Sequence, residues 1–246
     1  SAFTHAISAS VFAQSPVSGE TKKYYKSMTR LSSALAIMAD LSMLMLGGDL
    51  KRKEMLSARL GDVLSQLYLA SATLKLFEDN GRQFDDLPTV KHVMATRLHL
   101  AAKALDEAIR NFPNRAVAAL LRVMIFPLGN RFNMPEDKLA IEVVNSMSSP
   151  GPARDRLTYL CPNLIDDDSG IADVEKAFVA KHECKTLFAK IKQAQREGTL
   201  PRKATPQLLF DAALELEIVS DVEHKSLIEA NKLRIAAINV DDFETL

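Results

Sequence analysis

Apolar residues recur at spacings of three and four along most of the chain, which is typical of amphipathic helices. The first series lies between Thr21 and the Gly47-Gly48 stop and consists of Leu31, Ala34, Leu35, Met38, Leu41 and Met45. Asp40 is the only charged residue between Ser32 and Gly48, so this helix is expected at the centre of a bundle. The same 17 residues are too few and too polar to predict a membrane-spanning segment.

Four further helices follow in the same half of the chain. Asp49 is a candidate N-cap for the second helix, and Asn80-Gly81 is a typical C-terminal stop. Pro135 suits the first turn of the last of the four. The predicted ranges after the second helix are Thr89–Asn111, Arg115–Phe126 and a helix that starts near Pro135.

A proline-rich segment over residues 148–170 is the clearest linker, with room for one helical turn at Ala153–Leu157. Three more helices are predicted after it. Thr205-Pro206 and the capping box of Ser220 and Glu223 mark the starts of two of them. The predicted ranges are Ile171–Glu197, Thr205–Glu217 and Asp221–Ile238.

The chain is therefore predicted to be all-α. Nine glycines and ten prolines are too few for many short strands and turns, and 47% hydrophobic residues indicate a globular protein. We expect a bundle of long helices over residues 1–111 and a smaller helical extension over residues 112–246.

Composition excludes several classes of function. The 31 basic and 31 acidic residues give no net charge, and hence no long-range field that would attract nucleic acid. Cys161 and Cys184 form no CxxC or zinc pattern and cannot staple a chain of this length, so a reducing, cytoplasmic location is expected. Residues 1–18 lack the basic and apolar regions of a signal peptide.

No motif for catalysis, metal or cofactor binding is present in the sequence. His92, His99 and His224 lack a Glu-x-x-His partner, and His182-Glu183 is not part of an HExxH motif. Asp221 and His224 share a helix face, but a first-turn aspartate already favours the helix dipole. GxSxG, GxGxxG and P-loop patterns do not occur. We therefore assign no catalytic, cofactor or metal residue.

Lys51, Arg52 and Lys53 form the most basic run of the chain. Residues 20–60 hold eight basic and four acidic residues, a local net charge of +4 in a neutral protein. Two interpretations stay open. The run is a solvated helix start, or it contacts an anionic lipid, a phosphate-bearing substrate or an acidic partner.

Asp40 is the other unusual charge, because an unpaired carboxylate in an apolar environment is costly. Arg59 and Asp62 in the next helix, or Arg30, could satisfy it. We expect a buried structural ion network of Asp40, Arg59 and Asp62.

Several long motifs in order resemble the C-terminal region of bacterial long-chain acyl-CoA dehydrogenases. The longest is LKRKEMLSARLGDVLSQLYLASATLKLFEDNGR, Leu50–Arg82. Shorter ones are Tyr24-Tyr25, Arg30-Leu31-Ser32, Ala39-Asp40, Leu46-Gly47-Gly48, Asn111-Phe112-Pro113-Asn114-Arg115, Phe126-Pro127-Leu128-Gly129, Pro150-Gly151-Pro152-Ala153-Arg154-Asp155-Arg156-Leu157-Thr158 and Asn239-Val240-Asp241-Asp242-Phe243. From about Phe112 the resemblance is to a bacterial-type C-terminal extension.

The resemblance implies an FAD-dependent enzyme of fatty-acid β-oxidation that oxidises long-chain acyl-CoA to trans-2-enoyl-CoA. It also implies that the flavin site, the acyl-CoA pocket and the catalytic glutamate belong to amino-terminal and middle domains outside this chain, so no FAD is expected here. The implied partners are those domains, an electron-transfer acceptor, a second copy in a homodimer and the inner membrane at its periphery. The segment after Thr158 departs from the family, since the usual glycine is missing.

Two functions are compared on this basis. The first is a structural, interface and membrane-docking module of the dehydrogenase. The alternative is an autonomous helical module that binds acyl chains or acyl-CoA without catalysis, in a cleft between the Met-rich first helix and the Leu-rich second.

Overall fold

The computed structural model describes residues 15–161 and 170–239, and it confirms the all-α prediction. Over these residues the chain forms ten α-helices, two short 3-10 helices and no strand. The 3-10 helices are Gly47–Arg52 and Phe84–Asp86. The α-helices are α1 (Lys22–Leu46), α2 (Glu54–Asp79), α3 (Leu87–Arg110), α4 (Arg115–Ile125), α5 (Asp137–Met147), α6 (Pro152–Leu157), α7 (Gly170–Glu183), α8 (Lys185–Glu197), α9 (Pro206–Glu215) and α10 (Asp221–Ile238).

The chain divides into two compact units, Ser1–Asn145 and Ser146–Leu246. The boundary falls within α5 and differs from the division predicted between residues 111 and 112. That predicted division concerns two regions of a protein family and stays a prediction. The acidic run Asp166–Asp168 of the predicted linker lies outside the described residues.

The core of the first unit lies between α1, α2 and α3, with α4 packed against α3. Short connections join the three long helices, which favours antiparallel neighbours. On α2 the buried residues follow a heptad-like spacing, so that one stripe of the helix faces the core. They are Leu56, Val63, Leu67, Ala70, Leu74 and Phe77.

Helix α4 belongs to the first unit because its apolar face enters the same core. Leu121 and Ile125 are at most 2% exposed. The Asn114 side chain caps the helix by accepting from the backbone N–H groups of Ala116 and Val117. The Arg30 guanidinium of α1 donates to the carbonyl oxygen of Ile125 at 3.3 Å, which ties the end of α4 to α1. The residues after 111 therefore complete the first core.

Two helix starts predicted from the sequence are wrong. Asp49 does not cap α2; it lies inside a 3-10 helix, and its carboxylate pairs with the Arg52 guanidinium. Helix α2 begins at Glu54, after Lys53. Pro135 lies two residues before α5, which begins at Asp137, so it is not in the first turn.

The predicted position of α1 at the centre of the bundle is also wrong. Leu31, Ala34 and Met38 are buried. The last turns of the helix are exposed on the other side, where Met43, Leu44 and Met45 keep 56%, 78% and 44% of their surface accessible. Helix α1 covers the core from one side only.

The second unit is held by a smaller core formed by α8, α9 and α10, and α10 also packs along α7. The helix predicted over Ile171–Glu197 is two helices separated at Cys184, whose side chain is buried in this core. Gly198 ends α8 in the left-handed conformation, with φ of 82°. The predicted capping box at Ser220 and Glu223 is confirmed, because both of its hydrogen bonds are present.

Candidate functional site: an exposed apolar face on the first two helices

Helix α2 is apolar on both sides. Opposite its buried stripe, Leu64, Tyr68 and Leu76 keep 62%, 73% and 45% of their surface exposed. Successive positions four residues apart lie along one side of a helix, so these side chains form a continuous strip. We call the exposed residues Gly61, Leu64, Ser65, Tyr68, Leu69, Ala72 and Leu76 the α2 face.

The α2 face carries no charge over most of its length. No charged residue occurs on the helix between Asp62 and Lys75. Single exposed apolar residues are common on protein surfaces, whereas a contiguous apolar strip is a candidate interaction site. The face can therefore exclude water against a complementary apolar surface.

A second exposed apolar group lies where α1 is connected to α2. The last turn of α1 contains the exposed residues Met43, Leu44 and Met45. At the start of α2, Met55 is 72% exposed. Lys51, Arg52 and Lys53 lie in the connection between them and are all exposed. We call these seven residues the α1–α2 corner.

The predicted basic run is thus placed among exposed methionines and a leucine. Arg52 pairs with Asp49. Within residues 15–161 and 170–239, Lys51 and Lys53 have no carboxylate within ion-pair distance. The corner therefore combines two ammonium groups that have no carboxylate partner with four exposed apolar side chains.

The segment Lys22–Arg52 is also long and apolar enough to cross a membrane by length and composition. Its most apolar 18-residue window has a mean hydropathy of 1.5, and 22% of that window is buried. Helices in the cores of other proteins meet the same criterion. The exposed end of α1 is what distinguishes this helix from a fully buried one.

The predicted buried network of Asp40, Arg59 and Asp62 is wrong. Asp40 and Asp62 are both exposed. Asp40 lies about 200° around the helix from the buried Met38, so it points away from the core. Arg59 instead has its Nε 3.8 Å from a carboxylate oxygen of Glu107 on α3.

A partly buried ion pair that the sequence did not reveal joins α3 to α4. The Asp106 carboxylate, 14% exposed, accepts from Arg122 of α4 and from Arg110, one turn along α3 at 2.7 Å. An acidic residue four positions before an arginine is a visible local signal for the Arg110 pair. Arg122 is far away in sequence, and no local pattern indicates its contact.

Two of the histidines, His99 and His224, make contacts with other parts of the chain. The Nδ1 atom of His99 lies 2.7 Å from the carbonyl oxygen of Phe132. His224 pairs through Nε2 with Asp211 of α9 at 2.8 Å and not with Asp221, the carboxylate on its own helix face. Over the described residues, no three His, Cys, Asp or Glu side chains come together as a group that could hold a metal.

None of the described helices begins at a turn that follows a strand. Pyrophosphate groups bind where a glycine-rich turn leads from a strand into a helix, with backbone N–H groups free to donate. The part of the chain that the structure describes has no strand, so this arrangement is not formed there. We derive no flavin chemistry from these residues.

The described residues form an all-α module with an exposed apolar face on α2. A family model described as acyl-CoA dehydrogenase, C-terminal, bacterial type, matches residues 1–243. The chain belongs to this family, as the resemblance of its motifs indicated. No solved structure is a significant match.

Proposed function

We propose that this chain is the C-terminal helical module of an FAD-dependent dehydrogenase that oxidises long-chain acyl-CoA to trans-2-enoyl-CoA in fatty-acid β-oxidation. Its role there is structural: the α2 face packs against the catalytic domains of the same protein. The observation that carries the proposal is the α2 face, an uncharged strip on a chain that belongs to a family of C-terminal domains. FAD and the catalytic residues belong to the other domains.

The chemistry of the α2 face supports this role. Burying Leu64, Tyr68 and Leu76 would remove mostly apolar surface from water, at about 25 cal/mol for each Å². The buried stripe already anchors α2 in its own core, so the face is free to contact a second body without unfolding the first. Gly61, Ser65 and Ala72 lie between the large side chains and allow close approach of another helix.

The intact dehydrogenase tests this proposal. Leu64→Ser with Tyr68→Ser should weaken the docking of the module and reduce flavin content and oxidation of palmitoyl-CoA several-fold. The matched control is Leu208→Ser, which removes a leucine that is 62% exposed in the second unit. Full flavin content and activity in the double variant would reject the α2 face as the interface.

The chain alone provides a second test. It should show no flavin absorbance and no oxidation of palmitoyl-CoA, whereas the intact protein should show both. Stoichiometric flavin in the isolated chain would place the cofactor site here and overturn the assignment. The isolated chain could also form a dimer. If Tyr68→Ser dissociates that dimer, the α2 face binds a second copy instead.

A membrane role for the α1–α2 corner is favoured by a separate observation, the unpaired Lys51 and Lys53 beside exposed methionines. We propose that this corner docks on the cytoplasmic surface of the inner membrane, with the ammonium groups near anionic lipid heads. Each cation near such a surface contributes about 1 kcal/mol at moderate ionic strength. Salt should therefore weaken the binding.

Flotation with phosphatidylglycerol vesicles tests the corner. Changing Lys51, Arg52 and Lys53 to Glu should abolish flotation, because repulsion replaces attraction. The control changes Lys22 and Lys23 at the other end of α1, both exposed, to Glu and should float like the wild type. Equal flotation of all three proteins would reject the lipid role.

The alternative, an autonomous acyl-binding module, was predicted to use a cleft between the first two helices. Met38 is fully buried in the core there and Leu31 is 1% exposed, so these side chains already fill space between the helices. Titration of the isolated chain with a fluorescent acyl-CoA separates the two functions. A change in the affinity for acyl-CoA on Met38→Ala would favour the alternative.

A further inference from the structure

The second unit contains a cavity of about 450 Å³ that the proposed function does not use. It lies between α8, α9 and α10, and its floor is formed by buried Ile191, Phe210 and Ala230. Phe188 packs edge-on against Phe210, with the ring centroids 6.2 Å apart, and makes the adjoining wall. A volume of this size falls within the range of small-molecule pockets, roughly 300–1,000 Å³.

The rim of the cavity is cationic. Lys181, Lys192 and Arg234 line it, and no Asp or Glu does. Among the residues that the structure describes, none of these three cations has a carboxylate within ion-pair distance. Two other cations on these helices are paired, Lys190 with Glu223 and Lys232 with Glu229.

Two polar side chains at the mouth, Arg234 and Gln195, make hydrogen bonds within the protein. Arg234 donates from Nη2 and Nε to the amide oxygen of Asn231 at 3.1 and 3.4 Å, one turn earlier on α10. The Gln195 amide donates to the carbonyl oxygen of Pro201 at 3.1 Å. The bonds to Asn231 use the Nε and Nη2 atoms of the guanidinium and leave its Nη1 N–H groups for an anion.

We propose that this cavity binds an anionic amphiphile, an unbranched alkyl chain that ends in a carboxylate or a phosphate. The chain lies against Ile191 and Phe210, which offer no hydrogen-bond donor and therefore disfavour a polar ligand. The anionic head lies at Lys192 and Arg234, where charge-assisted hydrogen bonds replace its contacts with water. The residues used belong to the second unit, so the inference is independent of the α2 face.

Calorimetric titration of residues 1–246 with decyl phosphate and decanoate, each below its micelle concentration, tests the proposal. One molecule should bind per chain, and affinity should rise about fourfold for each methylene added between hexyl and decyl. Decanol, decyltrimethylammonium and inorganic phosphate should bind at least tenfold more weakly. Affinities that do not depend on chain length or on head-group charge would overturn the proposal.

Matched variants separate the cavity from non-specific adsorption. Arg234→Ala should weaken decyl phosphate about tenfold, whereas Lys232→Ala, which removes a paired cation two residues away, should match the wild type. Ala204→Trp adds bulk at an exposed loop position of the lining and should block binding without disturbing the core. Undiminished binding in both Arg234→Ala and Ala204→Trp would overturn the proposal.

The source of the head group is resolved by comparing decanoate, decyl phosphate and decanoyl-CoA. A preference for one of them, lost in Arg234→Ala, supports the cavity and identifies the head group. Binding to phosphatidylglycerol vesicles without saturable binding of any soluble amphiphile would instead show a membrane-surface patch and overturn the proposal.

Discussion

Arg154 and Glu175 form a two-point ion pair that joins α6 to α7. The guanidinium Nη1 and Nη2 atoms lie 2.7 and 2.6 Å from the two carboxylate oxygens. The guanidinium also lies over the Phe178 ring, 4.7 Å from its centroid. The hydrogen bonds to Glu175 raise the pKa of Arg154. The pair therefore links the two helices that lie on either side of residues 162–169.

We expect Arg154→Ala to lower the free energy of unfolding by about 2–3 kcal/mol. The side chains of Arg154 and Glu175 are only 17% and 13% exposed, so removing one partner leaves a poorly solvated charge. Arg154→Lys should recover little, because an ammonium group cannot make the two parallel bonds. Urea denaturation of the chain measures both variants.

The matched control is Lys232→Ala, which removes one member of an exposed pair with Glu229 and should cost less than about 0.5 kcal/mol. A double-mutant cycle of Arg154→Ala and Glu175→Ala isolates the pair itself. A coupling energy below about 0.5 kcal/mol, as is typical of exposed pairs, would contradict the prediction.

Ionisation of the Tyr24 hydroxyl should lower the free energy of unfolding at alkaline pH. Burial, and secondarily the charge of Glu20, raise the pKa of its hydroxyl from 10.0 to about 12. The folded state therefore keeps the proton where the unfolded state loses it, and the stabilisation present below pH 10 is lost as the pH rises through about 12. The loss should be on the order of 2–3 kcal/mol.

Tyr24→Phe checks this assignment, because it removes the hydroxyl and keeps the buried ring. The variant should show a shallower decline in the free energy of unfolding between pH 10 and 12 than the wild type. Parallel pH profiles for the two proteins would show that Tyr24 does not titrate differently in the two states.

The two faces of α2 should respond differently to truncation. Leu74→Ala removes a side chain that is 1% exposed and should cost about 2–5 kcal/mol through lost burial and a cavity. Leu76→Ala, two residues away and 45% exposed, should change stability by less than about 0.5 kcal/mol in the isolated chain. Thermal and urea denaturation measure the stability of both variants. Equal losses of stability would mean that the α2 face is already covered in the isolated chain.

Local signals in the sequence were sufficient for several helix ends. Asn80-Gly81 ends α2 as predicted, and Ser220 caps α10, because such contacts involve residues within one turn. The side of a helix that faces the core was harder to predict, since it depends on neighbours distant in sequence. Asp40 is exposed because α2 and α3 cover only one side of α1.

The candidate sites also differ in whether they depend on neighbouring or on distant residues in the sequence. The basic run at Lys51–Lys53 is contiguous and was visible in the sequence, although its apolar surroundings were not. The α2 face was not predicted from the sequence. A helix with apolar residues on both sides has the same sequence pattern whether it is fully buried or covered on one side only. The cavity rim joins Lys192 of α8 to Arg234 of α10, which only the packing of the second unit brings together.

The start of α10 provides a last prediction, in which two cap residues are compared. The Ser220 hydroxyl accepts from the Glu223 backbone N–H at 3.3 Å, and the Glu223 carboxylate accepts from the Ser220 N–H at 2.8 Å. Ser220→Ala should therefore cost about 1 kcal/mol. Thr205 occupies the equivalent position before α9, but its side chain makes no capping hydrogen bond, so Thr205→Ala should cost only a few tenths. Urea denaturation measures both variants, and an equal loss in the two would show that the box in α10 contributes nothing beyond its backbone geometry.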